Sequence, residues 1–351
     1  MRILMAIAGA AKGGAEKHFE RLARAFHAHE GTTVEVLMRH NYDRYKRLLD
    51  FGIPLRQAPF GGVFDFKTKK FFTQHIKDFN PDVVFTWLNR ATKFCPKSSA
   101  LHVGRPGGYY DLKYYRQCDL IVAMTDHLRT FYLDKGWPAE KIVTIPNFAD
   151  EPITGGTLPS TLSFDSKKKV VLALGRFHPN KGFDVLLRAM MNIPQAQLCL
   201  LGEGEEKQAL MELAAPIANR VHILPWQDNI TPFMEHADVF VCPSRHEPFG
   251  SVILEAWSHR KPLIASESEG PSQVIHNEKT GLLVPVGNAE ALASAISRVL
   301  EDEKLAKDLA KKGHEMYKKH YHEHSVVQHY LDVFSRSRGL SQEKHAEREA
   351  L

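Results

Sequence analysis

No stretch of this chain approaches the ~20 consecutive apolar residues needed to cross a bilayer, so a spanning helix is not expected. Cysteine is scarce, with four in 351 residues, at Cys95, Cys118, Cys199 and Cys242. Their spacing is neither that of a disulfide framework nor that of a zinc site, which argues for a reducing compartment. The G-x-G-x-x-G fingerprint of dinucleotide dehydrogenases is absent, because the first turn reads Gly9-Ala-Ala-Lys-Gly13-Gly14. No internal repeat of about 20–50 residues is visible, and no nucleic-acid-binding module stands out. His320, His322 and His324 come nearest to a metal cluster. Only His320 and His324 share a helical face and no further ligand stands near, so no metal is expected. The apolar opening imitates a secretory signal but is broken at once by Lys12-Gly-Gly-Ala-Glu16, and reads as a first strand.

What is present is an ordinary soluble composition, 43% hydrophobic and 25% charged, in a chain long enough for two domains. The net charge of +5 is uneven: residues 1–150 carry 23 Lys and Arg against 15 Asp and Glu, and the remainder 23 against 26. An anionic surface would therefore meet the first half. Apolar runs at 3–8, 34–38, 82–87, 100–103, 119–124 and 142–145 alternate with helical patterns at 16–27, 67–79 and 126–135. A Pro-, Gly-, Ser- and Thr-rich stretch interrupts the alternation at 153–168, and runs at 170–174, 197–201, 221–224, 238–242, 262–265 and 281–284 resume it. The expected organisation is an N-terminal Rossmann-like domain (1–152), a linker (153–168) and a second Rossmann-like domain (169–321). A helix (322–338) that packs back on the first domain and a frayed polar tail (339–351) complete it. Two doubly wound parallel sheets place ligands outside the carboxyl ends of their strands.

The chemistry-bearing stretch is Arg245-His-Glu-Pro-Phe-Gly-Ser-Val-Ile-Leu-Glu255, a strand-to-helix loop with carboxylates at Glu247 and Glu255. The amides near Gly250 to Val252 open a helix and suit an anion such as phosphate. Glu255, one turn on, suits a ribose diol, and Glu247 a sugar hydroxyl. At another strand-to-helix turn, Gly175-Arg176-Phe-His-Pro-Asn-Lys181-Gly182, a guanidinium and an ammonium stand ready for a pyrophosphate.

These motifs, with Gly13-Gly14-Ala-Glu16, Leu201-Gly-Glu-Gly204, Pro243-Ser244, Gly270-Pro271 and Thr280-Gly281-Leu-Leu-Val-Pro285, occur in the order seen in retaining glycosyltransferases of family 4, which the chain resembles. The resemblance implies a GT-B fold, α/β with two Rossmann-like doubly wound domains facing across a cleft. It implies that Arg176 and Lys181 hold the donor diphosphate, Glu255 the ribose and Glu247 the donor sugar. The amides around Phe249, Gly250 and Ser251 hold sugar or phosphate, Trp226 lies near the base, and Gly13 and Gly14 admit the diphosphate. Glu247, Arg176 and Lys181 are the expected catalytic set, with no cofactor beyond the nucleotide-sugar substrate.

Many relatives carry a His-Gly pair after the strand at 100–103, where this chain reads Gly104-Arg105-Pro106-Gly107-Gly108-Tyr109-Tyr110-Asp111. His102, Arg105 and Asp111 are the candidates for the first-domain role near the sugar, with a packed strand histidine as the alternative for His102. Aromatic and cationic residues mix at Tyr109–Arg116 and Phe64–Phe72, which suits a saccharide or lipid-linked acceptor and peripheral contact with an anionic membrane. The expected function is transfer of a sugar to such an acceptor in a cell-envelope glycan such as a lipopolysaccharide core. The expected setting is the cytoplasm, at the inner face of the cytoplasmic membrane, with nucleic acid no partner. The competing readings are a GT-B epimerase or phosphorylase and a non-catalytic nucleotide-sugar-binding protein.

Overall fold

The computed structural model describes residues 1–10, 13–62, 65–153 and 155–349, with side chains as far as Gly339. The chain forms two compact units, one of residues 1–147 with 323–351 and the other of residues 148–322.

Unit 1 runs β1 (Arg2–Ile7), α1 (Gly14–Ala28), β2 (Thr33–Arg39), α2 (Tyr42–Asp50), β3 (Leu55–Ala58), α3 (Phe66–Phe79), β4 (Val83–Trp87), α4 (Leu88–Phe94), β5 (Leu101–Arg105), β6 (Leu120–Ala123), α5 (Asp126–Asp134) and β7 (Ile142–Thr144). Its seven strands pair in the order β3-β2-β1-β4-β5-β6-β7, and every pairing is parallel. β1 is central and Ile3 to Ile7 are fully buried, which is why it reads as an unbroken apolar run and not an alternating one. On α1, Phe19, Leu22, Ala23 and Phe26 form the inward stripe that their helical spacing predicts.

Unit 2 runs β8 (Lys169–Leu174), α6 (Phe183–Met191), β9 (Ala196–Leu201), α7 (Lys207–Ala214), β10 (Val221–Leu224), α8 (Thr231–His236), β11 (Val239–Cys242), α9 (Ser251–Ser258), β12 (Leu263–Ser266), α10 (Pro271–Val274), β13 (Leu282–Val284), α11 (Ala289–Glu301) and α12 (Glu303–Met316). The parallel sheet has the order β10-β9-β8-β11-β12-β13. Its core joins Val171, Leu198, Val239 and Ile264 from the strands to Leu186, Met190, Leu292 and Ile296 from the helices.

A final helix, α13 (Glu323–Glu349), belongs to unit 1. Tyr330 and Phe334 stack on Phe26 and Phe85 with ring centroids 5.5–6.1 Å apart, and Arg338 reaches Asp82 at 2.6 Å.

Three details differ from the sequence reading. The first unit closes at Asn147, so 148–152 and the Pro- and Gly-rich stretch after them group with unit 2. Ala149 bridges His322, and Glu151 receives Lys318 at 2.9 Å and His322 at 3.0 Å, which ties this segment to the end of unit 2. The tail is helical to Glu349 and not frayed from Gly339: Leu, Gln, Glu, Lys, Ala and Arg there are good helix formers, and one glycine costs only about 1 kcal/mol. β3 escapes the apolar pattern because Leu55-Arg-Gln-Ala58 is short and polar, its register set by pairing with Val36 to Arg39.

Candidate functional site

In unit 2 the chain adds β9 and β10 on one side of β8 and then β11 to β13 on the other. The boundary between β8 and β11 is therefore a topological switch point, where diverging loops open a crevice at the carboxyl ends of the strands. The loop after β8 carries Arg176 and Lys181, and the loop after β11 carries Glu247.

The two loops are stitched together. The backbone N–H groups of Arg245 and His246 donate to the Asn180 carbonyl at 2.7 and 3.2 Å. The Arg245 guanidinium grips Asp184 with two bonds of 2.7 Å and Pro179 O at 2.9 Å. Burial pushes the Asp184 carboxyl up, but the hydrogen bonds from Arg245 and Arg188 outweigh it and hold the group below the usual carboxylate range. The crossing requires Gly182, which has φ 64°; a Cβ there would lie 2.1 Å from Pro243 O.

At this crossing the Lys181 ammonium meets the Glu247 carboxylate. Glu247 is 13% exposed and Lys181 26%. Burial works against the lysine charge, but the neighbouring Glu247 carboxylate prevails and lifts the ammonium above its ordinary range. Ser244 Oγ lies 3.4 Å from the same carboxylate oxygen. Arg176, in the same turn as Lys181, is exposed and makes no ion pair or side-chain hydrogen bond among the described residues.

Gly250, with φ 86°, turns the chain into α9, where Ile253, Leu254, Ala256 and Trp257 are fully buried. Glu255 is also buried at 4% exposure, so it is not a solvated helix residue. Ser251 opens α9, whereas the Phe249 side chain is packed inside against Tyr321 at 6.3 Å. Phe249 can therefore offer only backbone to a ligand. Trp226 follows β10, the edge strand, and is half-buried. Gly202 and Gly204 seat the loop after β9 against the loop after β8, because Cβ atoms there would fall 1.9 Å from Gly175 O and 2.2 Å from Phe177 O.

Gly13 and Gly14 follow β1, at the switch point of unit 1 between β1 and β4. A Cβ at Gly13 would lie 2.3 Å from the Glu16 carboxylate, which folds back to accept the Ala10 N–H at 2.7 Å; Gly14 opens on free space. Glu16, which the glycine motif contains, braces the turn that follows β1.

The structure places the three first-domain candidates in contacts within unit 1. His102 is a packed strand histidine: Thr86 Oγ lies 3.0 Å from Nε2 and Gln117 O 3.2 Å from Nδ1, and burial drives its pKa down to about 4. Arg105 is 1% exposed and binds Ile145 O at 3.3 Å, Asn147 Oδ1 at 2.5 Å and the Tyr330 hydroxyl, with Trp87 5.1 Å beneath it. It fastens α13 to the sheet. Asp111 caps a short 3₁₀ turn through the Lys113 N–H at 2.8 Å and pairs with the Lys113 ammonium at 2.9 Å. All three side chains have local structural work.

An open parallel α/β unit whose switch point gathers cations, carboxylates and a helix start is the architecture of a nucleotide-binding enzyme. The family model for glycosyl transferases group 1 matches residues 157–316, and that for Glycosyltransferase Family 4 matches residues 12–151. Two lipopolysaccharide core biosynthesis glycosyltransferases of Rhizobium meliloti (strain 1021) are similar to this chain. LpsE is 32% identical over 92% of the chain and 96% of its own length, and LpsD 32% over 93% and 96%. Among solved structures, Anabaena Alr3699/HepE in complex with UDP and glucose superposes with a TM-score of 0.81 at 20% identity, covering 96% of this chain and 100% of that one. The lipopolysaccharide outer core galactosyltransferase WaaB gives a TM-score of 0.70 at 18% identity, over 96% of this chain and 100% of that one. The chain belongs to the family 4, group 1 glycosyltransferases, and its fold is GT-B.

Proposed function

We propose that this glycosyltransferase takes a sugar from a nucleotide-sugar donor, with retention of anomeric configuration, and delivers it to a saccharide or lipid-linked acceptor of a lipopolysaccharide-core type. The observation that carries the reading is the meeting of Lys181 and Glu247 at the unit 2 switch point, with Arg176, unpartnered among the described residues, in the same turn. Departure of a nucleoside diphosphate leaves positive charge on the sugar and negative charge on the phosphate. Arg176 and Lys181 stabilise the leaving diphosphate, Glu247 holds the donor sugar, Glu255 the ribose, and the amides at Gly250 and Ser251 the phosphate or sugar. Removal of one such preorganised group costs about 10²–10³-fold in rate. In this reading the two cations neutralise the leaving group, so no metal ion is called for, and the leaving phosphate assists same-face attack by the acceptor. The nature of the curated relatives, both named for lipopolysaccharide core biosynthesis, supports the acceptor class.

The same reading puts the enzyme in the cytoplasm against the inner membrane face. Among the described residues no helix is long and apolar enough to cross a membrane. The start of α3 exposes Phe66 at 75% and Phe71 at 54% beside Lys67, Lys69 and Lys70; Phe64 of the same motif lies outside the described residues.

Thermal stabilisation by a panel of UDP-, GDP-, ADP- and CMP-sugars tests the donor site. A ligand at about 100 times its Kd adds ~2.7 kcal/mol of stability. One nucleotide class should raise the melting temperature, and Arg176→Ala and Glu255→Ala should abolish the shift. Equal shifts in both variants, or none with any nucleotide, would overturn the assignment.

A further inference from the structure

The segment from Arg245 to Glu247 hangs between two carboxylates that belong to other elements. On one flank Asp184, in the first turn of α6, takes the Arg245 guanidinium. On the other flank one Glu269 oxygen meets His246 Nδ1 at 2.5 Å, and its second accepts the Glu247 N–H at 3.3 Å. The next residue, Gly270, donates its N–H to the Glu247 carbonyl at 2.7 Å. The peptide groups on both sides of the Glu247 Cα are thus tied to residues 269–270. That approach leaves no room for a side chain at 270, where a Cβ would lie 2.5 Å from Phe249 Cα.

A carboxylate that serves a reacting sugar depends on where its backbone is held, since a displacement of about 1 Å can cost ~10²-fold in rate. Lys181 reaches Glu247 from one side only and would engage a diphosphate once donor is bound. The hold on the Glu247 backbone comes from the loop after β12. We propose that Glu269 is a positioning residue for Glu247, acting on turnover of the donor and not on its affinity. The proposal rests on the reading of Glu247 as the carboxylate that faces the donor sugar.

The test follows release of nucleoside diphosphate from the sugar nucleotide that stabilises the wild type in the panel above. It compares the full-length chain with Glu269→Ala, Glu269→Gln, Glu269→Asp and Glu247→Gln. Glu269→Ala should lower kcat about 10- to 100-fold and change KM for the donor less than about threefold. Glu269→Gln keeps a carbonyl for the Glu247 N–H and an amide for His246, and should recover most of the rate; Glu269→Asp, one methylene shorter, should not. If Glu269→Ala does not fold, Glu269→Asp carries the comparison. Wild-type kcat in the alanine or aspartate variant, with Glu247→Gln slow, overturns the positioning role alone. Wild-type kcat in Glu247→Gln overturns the underlying reading of Glu247.

Discussion

At the scale of single residues, the decisive distinction is between charges paired in a partly exposed loop crossing and charges enclosed in the fold. Lys181 and Glu247 neutralise each other in a partly exposed setting. Arg105 and His102 are different, because their bonds are satisfied inside the unit and exchange would leave buried groups unpaired. His102 makes this measurable. Its folded pKa, about 4, lies below the ordinary 6.5. The neutral form is the folded form, so its contribution is complete above pH 6.5 and drains away as pH falls toward 4. That lowering corresponds to on the order of 3 kcal/mol. Thermal unfolding of the wild type from pH 7 to pH 4 should therefore show a steeper loss than His102→Gln, whose amide keeps partners for Thr86 and Gln117 without titrating. Parallel losses in the two proteins would refute the assignment.

At the scale of elements, the site is made by turns that only glycine can complete. Gly182 combines a left-handed backbone with a carbonyl 2.1 Å from any added Cβ. Gly182→Ala should cost about 1 kcal/mol or more from the backbone alone, and should pull Lys181 away from Glu247. The donor-induced rise in melting temperature should shrink or vanish. Gly62→Ala, with nothing within 4 Å of its Cβ, should preserve both stability and the shift. An unaltered shift in Gly182→Ala would mean that the crossing of the two loops does not shape the site. Secondary structure in these regions was largely legible: β8 and β11 are apolar runs ended by Gly175 and Pro243, and α9 follows from its inward stripe. Glu269 was not, because its partners His246 and Glu247 lie on a different loop.

At the scale of the whole molecule, the excess of cations lies in residues 1–150, and the exposed aromatics of α3 stand among three lysines. Apolar rings and basic side chains together favour an anionic headgroup layer, and each cation near the surface contributes about 1 kcal/mol, weakened by salt. The enzyme should float with phosphatidylglycerol-containing vesicles at low salt and release them at high salt, and Phe66→Ser with Lys70→Glu should weaken flotation. Equal recovery with neutral and anionic vesicles would remove the membrane-face reading.

The sequence by itself determined the alternation of buried parallel strands and helices, the division into two α/β units, and which candidate residues share a turn: Arg176 and Lys181 at one strand-to-helix turn, Glu247 and Glu255 at another. These follow from apolar spacing and turn chemistry within a few residues. Tertiary structure alone decided which turns became neighbours. Lys181 and Glu247 stand 66 positions apart and meet because β11 pairs with β8 rather than with β10, an outcome of long-range strand pairing that no local window contains. The same non-local packing buried His102 and Arg105 and set Glu269 against the backbone of Glu247. Side-chain chemistry selected the candidates, and strand order chose among them.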